Sequence, residues 1–341
     1  MINQRFIILQ IILILSTSIQ AQIKIGGSIE TGFYKAEGTQ SVEQSDLFTG
    51  LDGKLGYNYK NEKRSASIKF RVRPEFYGFN NQLNTFKLRG DASYSQNENS
   101  FTWGINLADQ KYNIKSNSFN LTYSTFILSG NAESYLCGSL PANLTLGYAY
   151  QDIGYSGEQN LDLFFGELKL FHPISENMKF GFGIYTEKFS ITGRSLDPYV
   201  IPGEENKGWR LGPAVSFNYL GNEVINFEYR LLFHNSKYTY SSSIEHWIRL
   251  VAGKLITSRL SVFALIDYYI RNFKYKPNAE NFSYLLYTTM NFDNRIFLKF
   301  SYEISNTVEL YLRSGYFKEN LYSNKCNYSG WHALVGIALS N

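Results

Sequence analysis

Residues 295–318 read RIFLKFSYEISNTVELYLRSGYFK. Taken two at a time, Ile296, Leu298, Phe300, Tyr302 and Ile304 fall on one face, and Arg295, Phe297, Lys299, Ser301 and Glu303 on the other. Ser305-Asn306 turns the chain, and Val308, Leu310, Leu312 and Tyr316 then alternate with Glu309, Tyr311, Arg313 and Phe317. Successive side chains of a strand point to opposite faces, so period two means strand. Two such runs across a short polar turn make an antiparallel hairpin. One hairpin suits a soluble sheet as well as a membrane. What decides is how often the pattern recurs.

It recurs along most of the chain. A first strand spans Ile23 to Lys35, with a polar loop expected through Asp46. Leu51 to Tyr59 alternates, turns at Asn61-Glu62, and returns through Ala66, Ile68, Phe70, Val72 and Phe76. Phe86 to Tyr94 and Phe101 to Leu107 follow. Phe119, Leu121, Tyr123 and Ile127 then read as one apolar face. Between Ser129 and Ala142 the pattern blurs, and a turn is expected at Leu140-Pro141. Leu144 to Tyr150, Leu161 to His172, Met178 to Glu187, Trp209 to Tyr219, Ile225 to His234, Glu245 to Lys254, Leu260 to Arg271 and Trp331 to Leu339 complete the series. Phe282 to Asp293 reads as a loop hairpin or as the upper part of the next strand. Pro74 and Pro213 cannot donate to a ladder and are expected at a bulge or rim. About 20 residues per strand plus connection gives about sixteen strands, with 14–18 as the range, and even parity brings both termini to one side.

Arg5, the apolar run Phe6 to Leu15 and the small residues Ser16, Ser18 and Ala21 form a secretory leader, residues 1–21, cleaved after Ala21. The run is shorter than the ~20 apolar residues of a helical span. Removing 21 residues from 341 leaves 320, residues 22–341, with no linker-like tract to divide them, so one domain is expected. The chain is 17% aromatic, with 27 Tyr and 26 Phe, residues that favour strands and the water–lipid boundary. A net charge of +4, spread among the strands, gives no footprint for nucleic acid.

Turns near residues 61, 221, 256 and 305 are short, whereas those near 40, 200, 238 and 322 are longer. Aromatics recur towards strand ends at Tyr57, Tyr59, Phe76, Tyr94, Phe233, Tyr302 and Tyr316. With the leader and the repeated alternation, these features resemble a bacterial outer-membrane β-barrel protein of the porin-like kind. The resemblance is one of pattern across nearly the whole mature chain. It implies an all-β, closed antiparallel transmembrane barrel in the outer membrane of a diderm bacterium, surrounded by lipid and inserted by the barrel-assembly machinery. Such barrels often end on an aromatic residue, whereas this chain ends Leu339-Ser340-Asn341. A soluble repeat sheet or propeller is the competing architecture.

In a barrel the polar face meets the lumen. The basic residues expected there are Lys69, Arg71, Arg73, Lys87, Arg89, Arg230, Arg271, Arg295, Lys299 and Arg313; the acidic ones are Glu75, Asp91, Glu228, Asp267, Glu303 and Glu309. A hairpin centred near residue 80 sets Arg71 opposite Arg89 and Arg73 opposite Lys87. Such a basic ladder would favour anionic solutes, with Asp197, Glu204 and Glu205 of the longest loop able to fold against it. A solvated wall without selectivity is the plainer alternative. An enzyme would need a nucleophile–base pair, for which His234-Asn235-Ser236 is the best local triplet; a polar loop start explains it equally. The histidines His172, His234, His246 and His332 are scattered, and no metal spacing or phosphate-cradling loop is apparent, so no cofactor is expected. A third class is a closed-lumen barrel with a structural or surface-interaction role.

Cys137 and Cys326 lie in expected turns at opposite ends of the barrel, so they should not be bonded. Thiol titration of the denatured, unreduced chain is expected to detect both; detecting neither would overturn this arrangement.

Overall fold

The computed structural model describes residues 21–38, 41–78, 83–116, 120–136, 140–154, 159–193, 205–277, 293–320 and 327–341. The expected leader up to residue 20, both cysteines, Asp197, Glu204 and nearly all of the 282–293 segment lie outside the described residues.

Among the described residues there are sixteen strands: β1 Ala21–Gly38, β2 Ser41–Lys60, β3 Arg64–Tyr77, β4 Leu83–Glu98, β5 Phe101–Ser116, β6 Asn120–Leu136, β7 Leu140–Gly154, β8 Gln159–Ser175, β9 Met178–Gly193, β10 Glu205–Leu220, β11 Glu223–Ser236, β12 Ser243–Leu255, β13 Leu260–Asn272, β14 Asp293–Ser305, β15 Val308–Asn320 and β16 Asn327–Ser340. Each pairs antiparallel with its neighbours in sequence, and β16 pairs with β1 from Gly26↔Ser340 to Gly38↔Tyr328, closing one barrel. Below that register the closing seam continues through Asn341, whose Oδ1 accepts from the Ile25 amide (2.7 Å) and whose amide donates to the Ile25 carbonyl (3.2 Å). The start of β1 and the end of β16 lie at the end that carries the short turns, such as Glu176-Asn177, Gly221-Asn222 and Asn306-Thr307. That end is the short-turn end below, and the other the long-loop end.

The barrel is greasy outside. Ile29, Leu51, Phe70, Phe164, Ile184, Leu312 and Val335 are exposed although large and apolar, and they come from strands all round the wall. In hydrocarbon no water satisfies backbone groups, so a spanning sheet must close, and its outward face must be apolar. The outward aromatics pack on one another near the strand ends, Tyr94 with Trp103 (5.5 Å between ring centroids) and Phe33 with Trp331 (5.6 Å).

Four expectations need correction. The stretch to Asp46 is not a loop: Ser45 pairs with Lys35 and Asp46 with Tyr34 in a hairpin that reaches Gly38↔Ser41. A tilted strand needs about 9–11 residues to cross a membrane. The 20 residues of β2 run well beyond that. Outside the hydrocarbon, alternation is no longer required although backbone pairing continues. The turn after β6 precedes Leu140-Pro141, since Leu136 pairs with Leu140 and Pro141 with Tyr135 inside the ladder. Pro74 and Pro213 sit within strands with no register shift. The β2–β3 ladder passes from Gly50↔Glu75 to Gly53↔Val72, and β10–β11 from Leu211↔Phe233 to Ala214↔Arg230, skipping each proline and keeping step. Finally, Ile127 is not on the lipid face. It packs against the buried interior residues Ala149 and Leu163, while Leu128 is exposed.

The β13–β14 register runs only from Leu260↔Tyr302 to Asp267↔Arg295. Past it, the Asn294 amide imitates a strand partner: its Oδ1 accepts from the Tyr269 amide (2.9 Å), and its Nδ2 donates to the Tyr269 carbonyl (3.3 Å).

At Gly212 an added Cβ would overlap the Leu231 carbonyl oxygen, and at Gly32 that of Ala333. Those atoms are backbone of the adjacent strand and cannot yield without opening the ladder. Gly32→Val and Gly212→Val are each expected to cost about 1–3 kcal/mol, the order of an overpacked interior. The check is the urea midpoint of the folded, heat-modifiable gel band, with Gly53→Val, whose nearest such contact is 3.9 Å, as the tolerant control.

Candidate functional site

The polar face points inward because its side chains meet across strands that are not neighbours. Lys169 Nζ on β8 reaches Glu228 on β11 at 2.5 Å, and Arg230 on β11 reaches Glu167 on β8 at 3.1 Å. Such pairs can form only on the concave side. The row between them explains how: Lys169 faces Gly183, Gly183 faces Ala214, and Ala214 faces Arg230. Two small residues leave the space over which the long ones join. Arg230 also donates to Glu228 (2.9 Å) and lies over the rings of Tyr185 and Trp247.

A second cluster has the same logic. Gly50 and Gly336 flank Glu30 in its cross-strand row. Over them Arg73 from β3 pairs with Glu30, and Arg313 from β15 reaches it at 2.8 Å. The Tyr311 hydroxyl donates to the same carboxylate (3.1 Å). Arg73 also pairs with Glu75 (2.5 Å), which accepts from Thr85 (2.6 Å) and pairs with Lys87 (3.3 Å).

A third cluster is fully buried. Arg210 on β10 has no exposed side-chain surface; it pairs with Glu187 (2.9 Å) and Glu245 (2.9 Å) and donates to the Tyr269 hydroxyl (2.8 Å). His234 Nδ1 bonds the other oxygen of Glu245, and Tyr185 donates to Glu187. Towards the long-loop end these groups meet an apolar interior of Ala149, Leu161, Leu163, Phe189, Ile191 and Tyr238. Tyr238 comes from the β11–β12 connection, which is tied to residues 274–276 by Tyr240 N to Lys274 O (2.9 Å) and Lys276 N to Tyr238 O (2.9 Å).

The expected pairing of the two basic strands is present: Arg71 faces Arg89, and Arg73 faces Lys87. Their charges are not left bare. Arg71 binds Asp52 through two nitrogens (2.8 and 2.7 Å), and Arg89 binds Asp91 (2.8 Å). Lys299 pairs with Glu309, and Asp267 accepts from Trp247 (2.9 Å) with Arg249 at 3.8 Å. Arg295 faces Asp267 in the register, Arg271 lies over Tyr269 and Phe273, Glu303 faces Glu309, and Lys69 faces Asp91 without an ion pair between them. Of the long-loop acids only Glu205 is described; it pairs with Lys207 and accepts from Ser190 rather than meeting the basic strands. His234 and Ser236 do not form a nucleophile–base pair. The Ser236 hydroxyl is engaged by Thr239 (2.9 Å), and His234 by Glu245.

Sequence reasoning missed Glu30, Asp52, Glu167, Lys169, Glu187, Arg210 and Glu245 as partners. The available signal was a charged residue with a glycine opposite it in the cross-strand row, Gly50 and Gly336 on the two sides of Glu30 and Gly183 on one side of Lys169.

No family model matches the sequence, and no curated protein does. Solved structures of similar shape include a Pseudomonas putida toluene transporter, TodX (10% identity, covering 96% of this chain and 91% of that one, TM-score 0.41). They also include Acinetobacter baumannii OccAB4 (7%, 95% and 99%, 0.45) and CdiB from the same organism (10%, 94% and 60%, 0.47). At these values the likeness carries no argument about activity or cargo.

Removing one member of a buried charge cluster strands the others. Arg210→Ala is expected to cost about 3–5 kcal/mol. Arg89→Ala, in a half-exposed pair, should cost about 0–1 kcal/mol. Urea midpoints of the two variants in detergent check the contrast.

Proposed function

We propose that this chain is a passive, porin-like channel of a diderm outer membrane for small polar or anionic solutes, with the short-turn end in the periplasm. The observation that carries this reading is water access on the inward face. Lys54, Arg71 and Arg89 point into the barrel yet keep 57%, 44% and 51% of their side-chain surface accessible. Sixteen strands enclose more space than side chains alone fill. The wet stretch lies on β2–β4, while the wall from β8 to β11 is packed by the Lys169–Arg230 and Arg210 clusters. The lumen is therefore eccentric: a vestibule opens at the short-turn end and narrows towards the interior apolar cluster and the aromatic group of Tyr34, Phe48 and Tyr77.

That narrowing favours a second reading, a closed-lumen barrel with a structural or surface-binding role. Planar-bilayer recording separates the two. Discrete conductance steps are expected from the native chain, with larger steps from Tyr238→Ala, whose ring packs in the narrow part. Silence from both would leave the closed barrel. Because Arg71 and Arg89 are already matched by Asp52 and Asp91, these two arginines should themselves confer only weak ion selectivity. Arg71→Gln with Arg89→Gln should move the reversal potential modestly towards cation preference; an unchanged potential would remove these two arginines as a source of anion preference.

A further inference from the structure

We infer that the vestibule carries an anion site at its mouth, formed by Lys24, Lys60 and Lys69, for a small doubly charged oxyanion such as phosphate or a dicarboxylate. The inference rests on the wet-lumen reading above and supplies the selectivity that the arginine pairs do not.

The three lysines lie on β1, β2 and β3 at the short-turn end and, with Gln22 and Asn58, line a cavity of about 810 Å³. Their strand parity is that of Glu30, Asp52 and Arg71, so they face inward. Gly56 stands between Lys24 and Lys69 in one cross-strand row, opposite each. Strands two apart lie roughly 10 Å from each other, twice the 4.7–4.9 Å spacing. That suits two ammonium groups converging on one ion above a residue with no side chain, and an added Cβ at Gly56 would meet nothing closer than 3.7 Å.

Elsewhere on this wall cations are matched. Arg71 and Lys54 share Asp52, Arg73 and Lys87 share Glu75, and Arg313 joins Arg73 on Glu30. Lys24, Lys60 and Lys69 make no ion pair among the described residues. The carboxylate opposite Lys69, Asp91, is held by Arg89 through Nε and Nη2. The rest of the nearby wall is hydroxyl-lined, with Ser65 bonded to Ser95 (2.7 Å) and Ser67 to Ser93 (2.8 Å). Like charges gathered on one wall repel and concentrate counter-ions. A concave, hydroxyl-rimmed site with three ammonium donors therefore selects an anion able to accept from several at once.

The test uses the full-length mature chain purified in detergent, so it does not depend on conductance. Isothermal titration with inorganic phosphate, succinate and chloride is run on the native protein, on Lys24→Gln/Lys60→Gln/Lys69→Gln, and on Lys254→Gln as a control at the same end of the barrel but on β12, where the lysine already pairs with Glu223 (2.7 Å). Saturable binding of phosphate or succinate, weaker by about tenfold or more in the triple variant, is expected, the order of losing hydrogen bonds to charged groups. The heat-modifiable band shows that each variant is folded. Preference for phosphate over succinate, or the reverse, names the solute class. No saturable binding by the folded native chain, binding that the folded triple variant retains, or equal response to chloride overturns the site. A conducting barrel that fails this test keeps the channel and loses the site, whereas a silent barrel that passes keeps the site and loses the channel.

Discussion

The constraint behind everything else is that each backbone N–H and C=O crossing hydrocarbon needs a partner from the protein itself. The contact that closes the sheet is β1 on β16, because without Gly26–Gly38 against Tyr328–Ser340 the sheet would have two open edges. Other features follow from that closure. The prolines sit where a single ladder skips a step, the Asn294 side chain stands in for backbone past the end of the β13–β14 register, and Gly32 and Gly212 allow neighbouring backbones to approach. Each device keeps the ladder in step where the sequence departs from an ordinary strand.

Closure also explains the interior. Once the apolar face is assigned to lipid, the charged side chains must share a confined space. Beside neighbouring pairs such as Arg71–Asp52, they form clusters that span several strands. Glu30 binds two arginines from β3 and β15, and Lys169 and Arg230 share Glu167 and Glu228. The glycines and the alanine between them are as much part of these clusters as the charges are.

The barrel was legible in the sequence because period two has a single physical cause over a lipid-facing wall. The hairpin at 295–318 and the Arg71/Arg89 register were readable for that reason. Legibility failed where the cause lapses. Ser41 to Asp46 continues the ladder outside the greasy belt, so its polar composition looked like loop. Ile127 faces inward because the β6–β9 interior is itself apolar, which inverts the rule that polar means lumen. Several charge partners were hidden for another reason: Glu30 with Arg73 and Arg313, Glu167 with Arg230, and Arg210 with Glu245 are not on adjacent strands, and alternation says nothing about what lies two or three strands away. The lysines at the mouth were visible singly, but their convergence depends on β1 and β3 flanking Gly56 in the same row.

Tyr238 belongs to a surface connection, yet its ring is buried among Leu161, Leu163, Phe189 and Ile191, and its carbonyl holds the Lys276 amide. That stretch therefore has one side on the surface and one inside the barrel. Any displacement of the connection moves the ring with it, so the outer backbone and the inner packing are mechanically joined through one aromatic side chain.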